Sequence, residues 1–506
     1  MAPRPAQHAR TDGPLRLEEG EDVVEHLVRE SADAVAFASA SASARRSRFL
    51  GLILWRRHYV EQVAGGAAAL FDGMFPRAKM RKMSAASSGR VKIGDLPEDL
   101  LRRVVSLLSA RQAVQTSALS RRWRHLWRSA PLLRIVPDEG FQTVRGLNEF
   151  VKHLLLLRDG AAPLDACVIN FYCCEFDSYR YPSSDEPDVG LWLRHAVSRG
   201  AQLIRVEVYV EDEPVCLPDL PLVSNHLRVL DLRLVEIKDS LVDFSGCPSL
   251  EHLKFQGGFI NARRISSPSV KHLIIDGSGF NRKFRTRIST PGLISLELEF
   301  WGSTPLLEGM PLLVTASVNL DHECRDRCAN TEFGDCGDPE CDDCDVMVSD
   351  GDGCVLLQGL SGATTLELTT ESRVFMFRRD LMWCPIFSKL KTLLVNEWFM
   401  TSNMSGLACL LEHSPIVEKL TLQLSKEPRN FVEIEDSDKP CKQAFLFKNL
   451  NIVEIKCQEG DERVKKILKI LSQNGIPLAK INVLQTKRRP RRKLSTVVHI
   501  ILCLDI

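Results

Sequence analysis

Two hydrophobic periods divide this chain. From Val91 to Trp127 the chain is dense in apolar positions, Leu96, Leu100, Leu101, Val104, Leu107, Leu108, Val114, Leu119, Trp123, Leu126 and Trp127, spaced largely three or four apart within Leu96–Leu108 and Leu119–Trp127. That spacing predicts helices. Pro97 suits a first helical turn, after which Leu100, Val104 and Leu108 share a face flanked by Leu101 and Val105. Ser109 and Gln112 fit a capping box that starts a second helix. Ser120 is placed to cap a third, SRRWRHLWR, with Trp123 and Trp127 one turn apart and the arginines between them lying along the apolar surface. Three short helices cannot hide this much apolar side chain by themselves. The surplus must be buried against the rest of the chain or against another protein.

Further on the period changes. Triplets of the form apolar-x-x-apolar-x-apolar begin at Leu203, Leu227, Leu250, Val270 and Leu293, then at Ala363, Leu390, Val417 and Leu450. The first five are separated by 24, 23, 20 and 23 residues, inside the range of about 20–29 for leucine-rich repeats. Each triplet predicts one strand with alternate side chains inward, and stacked units give a continuous core that no single unit has. Gly246-Cys247-Pro248, Ser267-Pro268 and Thr290-Pro291-Gly292 supply turns between strands. His252 and His272 hold matching places just before an inward leucine, as repeat positions on the outer turn. The stretch from Phe445 to Leu484 predicts strand, acidic turn, helix and strand. Val464, Ile467, Leu468 and Leu471 form the helix's apolar face, and Asn474-Gly475 stops it.

Composition adds mostly exclusions. The 506 residues carry a net charge of +1, so nothing global draws the chain to nucleic acid or anionic membrane. No apolar run approaches the ~20 residues of a membrane span, and FLGLILW, residues 49–55, stops at Arg56 and Arg57. The N-terminus has no apolar signal core, so the 16 cysteines are expected as free thiols in a reducing compartment. Residues 1–88 are rich in Ala, Ser and Arg and predict a disordered extension with a helix around residues 49–64. Met83 reads as a natural start. Mass spectrometry of the endogenous N-terminus would check this, and abundant peptides from residues 1–82 would contradict it.

Candidate chemistry is sparse. Cys324, Cys328, Cys336, Cys341 and Cys344, with His322 nearby, crowd an acidic insertion over residues 321–354. Thiolates could hold zinc there, but Cys341 and Cys344 form its one C-x-x-C pair. Cys336, Cys341 and Cys344 are therefore weak candidates, and the favoured reading is a solvated loop without metal. The basic run from Lys487 to Lys493 is either a nuclear import signal or a solvated tail. It has no interleaved aromatics for base stacking. There is no nucleophile elbow, no zinc-protease helix motif and no phosphate loop. No catalytic residue and no cofactor are expected.

The helical segment as a whole resembles an F-box. Leu96-Pro97, Asp99-Leu100-Leu101, Ala118-Leu119-Ser120-Arg121-Arg122-Trp123 and Leu126-Trp127 follow the order seen in plant F-box proteins. The irregular repeats resemble those of plant F-box/LRR proteins. The stretch from Phe445 to Leu484 resembles the FBD region that closes many of them, although KRRPRRKLSTVVHIILCLDI after it departs from the family pattern. The resemblance implies an α+β or α/β chain: a short three-helix F-box at 89–133, an irregular leucine-rich-repeat solenoid at 134–425, an FBD-like strand-helix-strand cap at 426–485 and a basic tail at 486–506. It further implies a substrate-recognition subunit of an SCF-type ubiquitin ligase in the nucleus, the cytoplasm or both. The F-box would bind a Skp-family adaptor, and through it a cullin, and the repeats a target protein of unknown identity. Leu96, Pro97, Leu100, Leu101, Leu108, Val114, Leu119, Trp123 and Trp127 are the expected adaptor contacts, some of them doubling as core. A small-molecule-sensing F-box receptor and a scaffold without ligase role are the alternatives.

Overall fold

The protein is described by a computed structural model, which covers residues 96–136, 144–173, 187–210, 213–324, 354–370, 377, 380–381, 383–400, 405–424, 450–473 and 476–486. The N-terminal extension, Cys336, Cys341, Cys344, the Asn474-Gly475 helix stop and the basic tail lie outside the described residues. The chain divides into two units between Val104 and Val105, inside its first helix. Of the first unit the described residues are 96–104. They hold the start of α1 (Glu98–Leu107), where the Pro97 carbonyl accepts the N–H groups of Leu100 and Leu101, both at 3.1 Å.

The second unit is mixed α/β and built on one large, mostly parallel sheet of sixteen strands, with no closed barrel among the described residues. Its main strands are β1 (Leu132–Ile135), β2 (Ala166–Cys173), β3 (Leu203–Val210), β4 (Val229–Arg233), β5 (His252–Gln256), β6 (His272–Phe280) and β7 (Ser295–Gly302). They continue as β8 (Thr315–Cys324), β9 (Thr365–Thr370), β10 (Thr392–Asn396), β11 (Lys419–Gln423), β12 (Ile452–Gln458) and β13 (Ile481–Thr486). Each pairs in parallel with the next, so neighbours in space are neighbours in sequence. One unbroken row of partnered residues runs Leu133, Cys167, Ile204, Leu230, Leu253, Leu273, Leu296, Ala316, Leu366, Leu393, Leu420, Val453, Ile481. Every member from Leu133 to Val453 is buried.

This register corrects one predicted unit. Ile204, not Val206, lies opposite Leu230, so the first triplet is Ala201-Ile204-Val206 and its step to Leu227 is 26 residues rather than 24. The cause is a third inward valine on β3: Val208 is as fully buried as Ile204 and Val206, which lets the pattern slide by two. The row also contains three units beyond the predicted triplets, Ala130-Leu133-Ile135, Leu164-Cys167-Ile169 and Leu313-Ala316-Val318. Cysteine or alanine stands at the centre of two of them. Among the described residues α2 (Ala110–Gln115) follows α1, α3 (Val144–Leu157) and α4 (Val189–Ser198) lie in the β1–β2 and β2–β3 connections, and α5 (Leu357–Leu360) and α6 (Ser405–Glu412) precede β9 and β11.

The turns repeat as faithfully as the strands. The carbonyls of Cys247, Thr290 and Met310 accept the N–H groups of Leu250, Leu293 and Leu313, each at 3.1 Å, and Ser414 does so for Val417 at 3.4 Å. Pro248, Pro291, Pro311 and Pro415 occupy the second turn position, where a fixed φ is favourable. Arg264–Ser266, Arg287–Ser289 and Leu306–Leu307 form a second parallel sheet that buries Ile265, Ile288 and Leu307. At Gly302 the backbone has φ 88°, and a Cβ would meet the Phe280 carbonyl oxygen, so that crossing needs glycine. After β12 the helix α7 (Arg463–Gln473) buries Val464, Ile467 and Leu471 and leads to β13, the expected strand-helix-strand order. Among the described residues no helix is long and apolar enough to cross a membrane.

Candidate functional site

The helical segment leaves part of its apolar surplus in water. On α1, Glu98 and Asp99 lie in the first turn, where acidic groups favour the helix dipole, and both bind Arg102, at 2.7 and 3.0 Å. Leu101 and Val105 are fully buried, whereas Leu100 is 45% and Leu107 46% exposed. The buried stripe is therefore Leu101/Val105, and Leu100, predicted to share the apolar face with Val104 and Leu108, faces solvent. Pro97 is exposed, and Leu96, Leu108 and Val114 are half-buried.

The second helix, α2 (Ala110–Gln115), begins with the predicted capping box. The Ser109 hydroxyl accepts the Gln112 N–H at 3.2 Å and the Gln112 side chain accepts the Ser109 N–H at 3.3 Å. The predicted third helix is not α-helical. Residues 121–125 form turns and only Leu126–Ser129 is helical, as a 3₁₀ turn. The Ser117 hydroxyl donates to the Arg124 carbonyl at 3.1 Å, the group an α-helix would have offered to Arg128. The Arg128 N–H goes to His125 instead, also at 3.1 Å. Trp123, Leu126 and Trp127 are buried together, while Leu119 is 63% exposed. Arg128 lies over the Trp127 ring at 5.6 Å, and Arg121, Arg122 and Arg124 are exposed.

A buried guanidinium, absent from the sequence reading, ties this segment to the sheet. Arg158, just after α3, donates to the carbonyls of Trp127 and Ala130 at 3.3 and 2.8 Å. Burial lowers its pKa from the ordinary arginine value. Arg134 on β1 likewise donates to the Leu107 carbonyl at 2.8 Å. No sequence period marks either residue, because each partner is a backbone carbonyl about 30 residues away.

The second candidate surface is the polar face of the sheet. Between the inward positions stand Lys254, Asp276, Glu297, Glu299, Asn319 and Thr369, a row of charged and hydrogen-bonding side chains. Asp231 on β4 takes Arg205 at 2.8 Å and Arg233 at 2.9 Å. Gln256 donates to Asp276 at 2.8 Å and Thr369 to Asn319 at 2.9 Å, so rungs are cross-linked strand to strand. The predicted pair His252 and His272 are register partners with rings stacked at 4.5 Å.

Residues 93–135 match the F-box domain family. An F-box/FBD/LRR-repeat protein of Arabidopsis thaliana is 28% identical over 271 residues, 46% of this chain and 61% of that protein. The MEIOTIC F-BOX protein MOF of Oryza sativa subsp. japonica is 27% identical over 394 residues, 73% of this chain and 81% of that protein. Another Arabidopsis F-box/FBD/LRR-repeat protein is 24% identical over 435 residues, 78% of this chain and 90% of that protein. The match thus spans less than two thirds of the first of these relatives and most of the other two. The F-box at its helical segment and these relatives together support a plant F-box/LRR-repeat protein with an FBD region.

Proposed function

We propose that this F-box protein is the target-recruiting subunit of an SCF-type ubiquitin ligase. The F-box would dock a Skp-family adaptor, which carries the cullin. The parallel strands from β1 to β11 would form a leucine-rich-repeat solenoid whose polar face holds the protein to be ubiquitinated, with β12, α7 and β13 as an FBD-like cap. Catalysis would belong to the other subunits. The contribution here is to raise the local concentration of target beside the ubiquitin-charged enzyme.

The observation that carries this reading is the exposure of Leu100, Leu107 and Leu119 within or beside the F-box motif. Exposed leucines gathered in one short segment, rather than scattered singly, support a surface that another protein covers. Co-purification with a plant Skp-family adaptor tests it. The unaltered chain should capture the adaptor. Replacing both Leu96 and Pro97 with alanine, or Leu119 with aspartate, should abolish capture while the circular dichroism of the strands is retained. Undiminished capture by both variants would refute the proposed docking surface. Reconstituted ubiquitination of a captured partner would then separate a ligase subunit from a scaffold.

A further inference from the structure

We infer that Cys384, Cys409 and His413 form a binding site for a thiophilic divalent cation, for which the donor set selects zinc. The three residues come from two consecutive repeats, in the turn-and-helix segments that precede their strands. Cys384 lies in the approach to β10, and Cys409 and His413 belong to α6 (Ser405–Glu412) and the residue just past it, before β11. The four-residue spacing stacks Cys409 and His413 on one side of the helix. All three ligand atoms lie within 4.8 Å of one another, and the Cys409 Sγ is 3.9 Å from the His413 Nδ1. Zinc–sulfur and zinc–nitrogen bonds of about 2.3 and 2.0 Å in a tetrahedron put neighbouring ligand atoms roughly 3.5–3.8 Å apart. Small side-chain rotations close that gap.

The donors also fit by chemistry. Two sulfurs and an imidazole suit zinc, and they do not suit calcium or magnesium, which take oxygen. The thiols have only weak partners now. Cys409 donates to the Leu381 carbonyl at 3.5 Å and Cys384 to the Pro385 carbonyl at 3.7 Å. The His413 Nδ1 also lies 2.8 Å from the Cys409 carbonyl, and binding through Nδ1 would exchange that contact for the metal, with the ring proton carried on Nε2. All three residues are half-buried, so the site is shaped by protein yet reachable from solvent, and water can supply the fourth ligand. Asp380, close by, is not a ligand. It is fully buried and its carboxylate accepts the N–H groups of Val355, Leu356 and Leu357 at 2.7–2.9 Å, which anchors the preceding repeat beside the cluster. Binding would convert two thiols to thiolates and release their two protons to water, and the metal would clasp two adjacent repeats.

The test must separate this cluster from the cysteine-rich insertion, so the full chain is prepared with Cys324, Cys328, Cys336, Cys341 and Cys344 replaced by serine. Added to the reduced, metal-free protein, cobalt(II) should produce a thiolate-to-cobalt charge-transfer band that saturates at one equivalent and is displaced by zinc. Cys384→Ser and Cys409→Ser should each remove most of it, and His413→Gln should weaken binding by about tenfold or more. A band that is absent, or that survives both serine variants, overturns the site. Should the variants fail to fold, the unaltered chain still decides. Zinc should slow alkylation of Cys384 and Cys409 by at least about tenfold, read by peptide mass spectrometry. Equal labelling with and without zinc, or a Cys384–Cys409 disulfide as the sole product, overturns it.

Discussion

Leucine is the main apolar residue of both the F-box segment and the inward row of the repeat sheet, yet the two leave it in different states. In the sheet, the row from Leu230 through Leu253, Leu273 and Leu296 to Leu420 is buried without exception. In the F-box segment, Leu101 is buried but its neighbour Leu100 is not, and Leu107 and Leu119 are also in water. The difference lies in who supplies the cover. A strand added in parallel brings its own partner on each side, so the core grows with the array. A few short helical turns have no successor of their kind, and part of their apolar surface stays exposed, which under the proposed function an adaptor would cover. Stability should therefore be concentrated in the repeats and docking in the F-box, and substitutions can pull the two apart.

The largest loss of stability is expected from Asp380→Ala, which strips three buried N–H groups of their acceptor. It should lower the unfolding free energy by about 4 kcal/mol, measured by denaturant titration. Leu253→Ala should follow at about 3 kcal/mol, from lost burial and the cavity left behind. A loss under 1 kcal/mol from both would mean the sheet is not the stable part. Arg158→Met should cost about 2 kcal/mol by leaving the Trp127 and Ala130 carbonyls unpaired. Arg158→Lys should not restore it, since one ammonium cannot reproduce the planar fork.

Acidification should act next. Burial, with Arg199 and Arg158 adding repulsion, lowers the His195 pKa from 6.5 to about 4. Its Nε2 is buried without a hydrogen-bond partner, so protonation would place an unpaired charge there. The unfolded chain binds that proton more readily. Stability is therefore full above pH 6.5 and falls as the pH drops toward about 4, by roughly 1–2 kcal/mol after allowing for solvent screening. His195→Gln should flatten this part of the pH profile. The smallest effect belongs to Leu119→Ser, which should change stability by no more than about 0.5 kcal/mol while removing adaptor capture. If it unfolds the chain instead, Leu119 is a structural residue and the contrast between the two regions is lost.

Much of this architecture could be read from residues alone, and what could not has a common cause. The capping box at Ser109 and Gln112 and the leucine rows are local patterns, and both were legible. The third F-box helix was not, because a hydroxyl at Ser117 diverts the Arg124 carbonyl, and that contact leaves no periodic trace. Which of two adjacent stripes on α1 is covered was equally hidden, since Leu100 and Leu101 differ only in what they face. Cys167 and Ala316 concealed their strands because neither announces a core position as leucine does. Arg158 and Asp380 are the deepest omissions. Their partners are peptide groups far along the chain, and a buried charge answered by backbone cannot be seen in composition or spacing.

The register of the sheet has one more consequence. β8 and β9 pair residue for residue, Thr315 with Thr365 through Leu320 with Thr370, although fifty positions separate them, whereas β6 and β7 need only twenty-three. Rung alignment is thus indifferent to the length of the link between rungs. Such a ladder should tolerate segments inserted, trimmed or exchanged at its connections and still present its outward side chains in the same order.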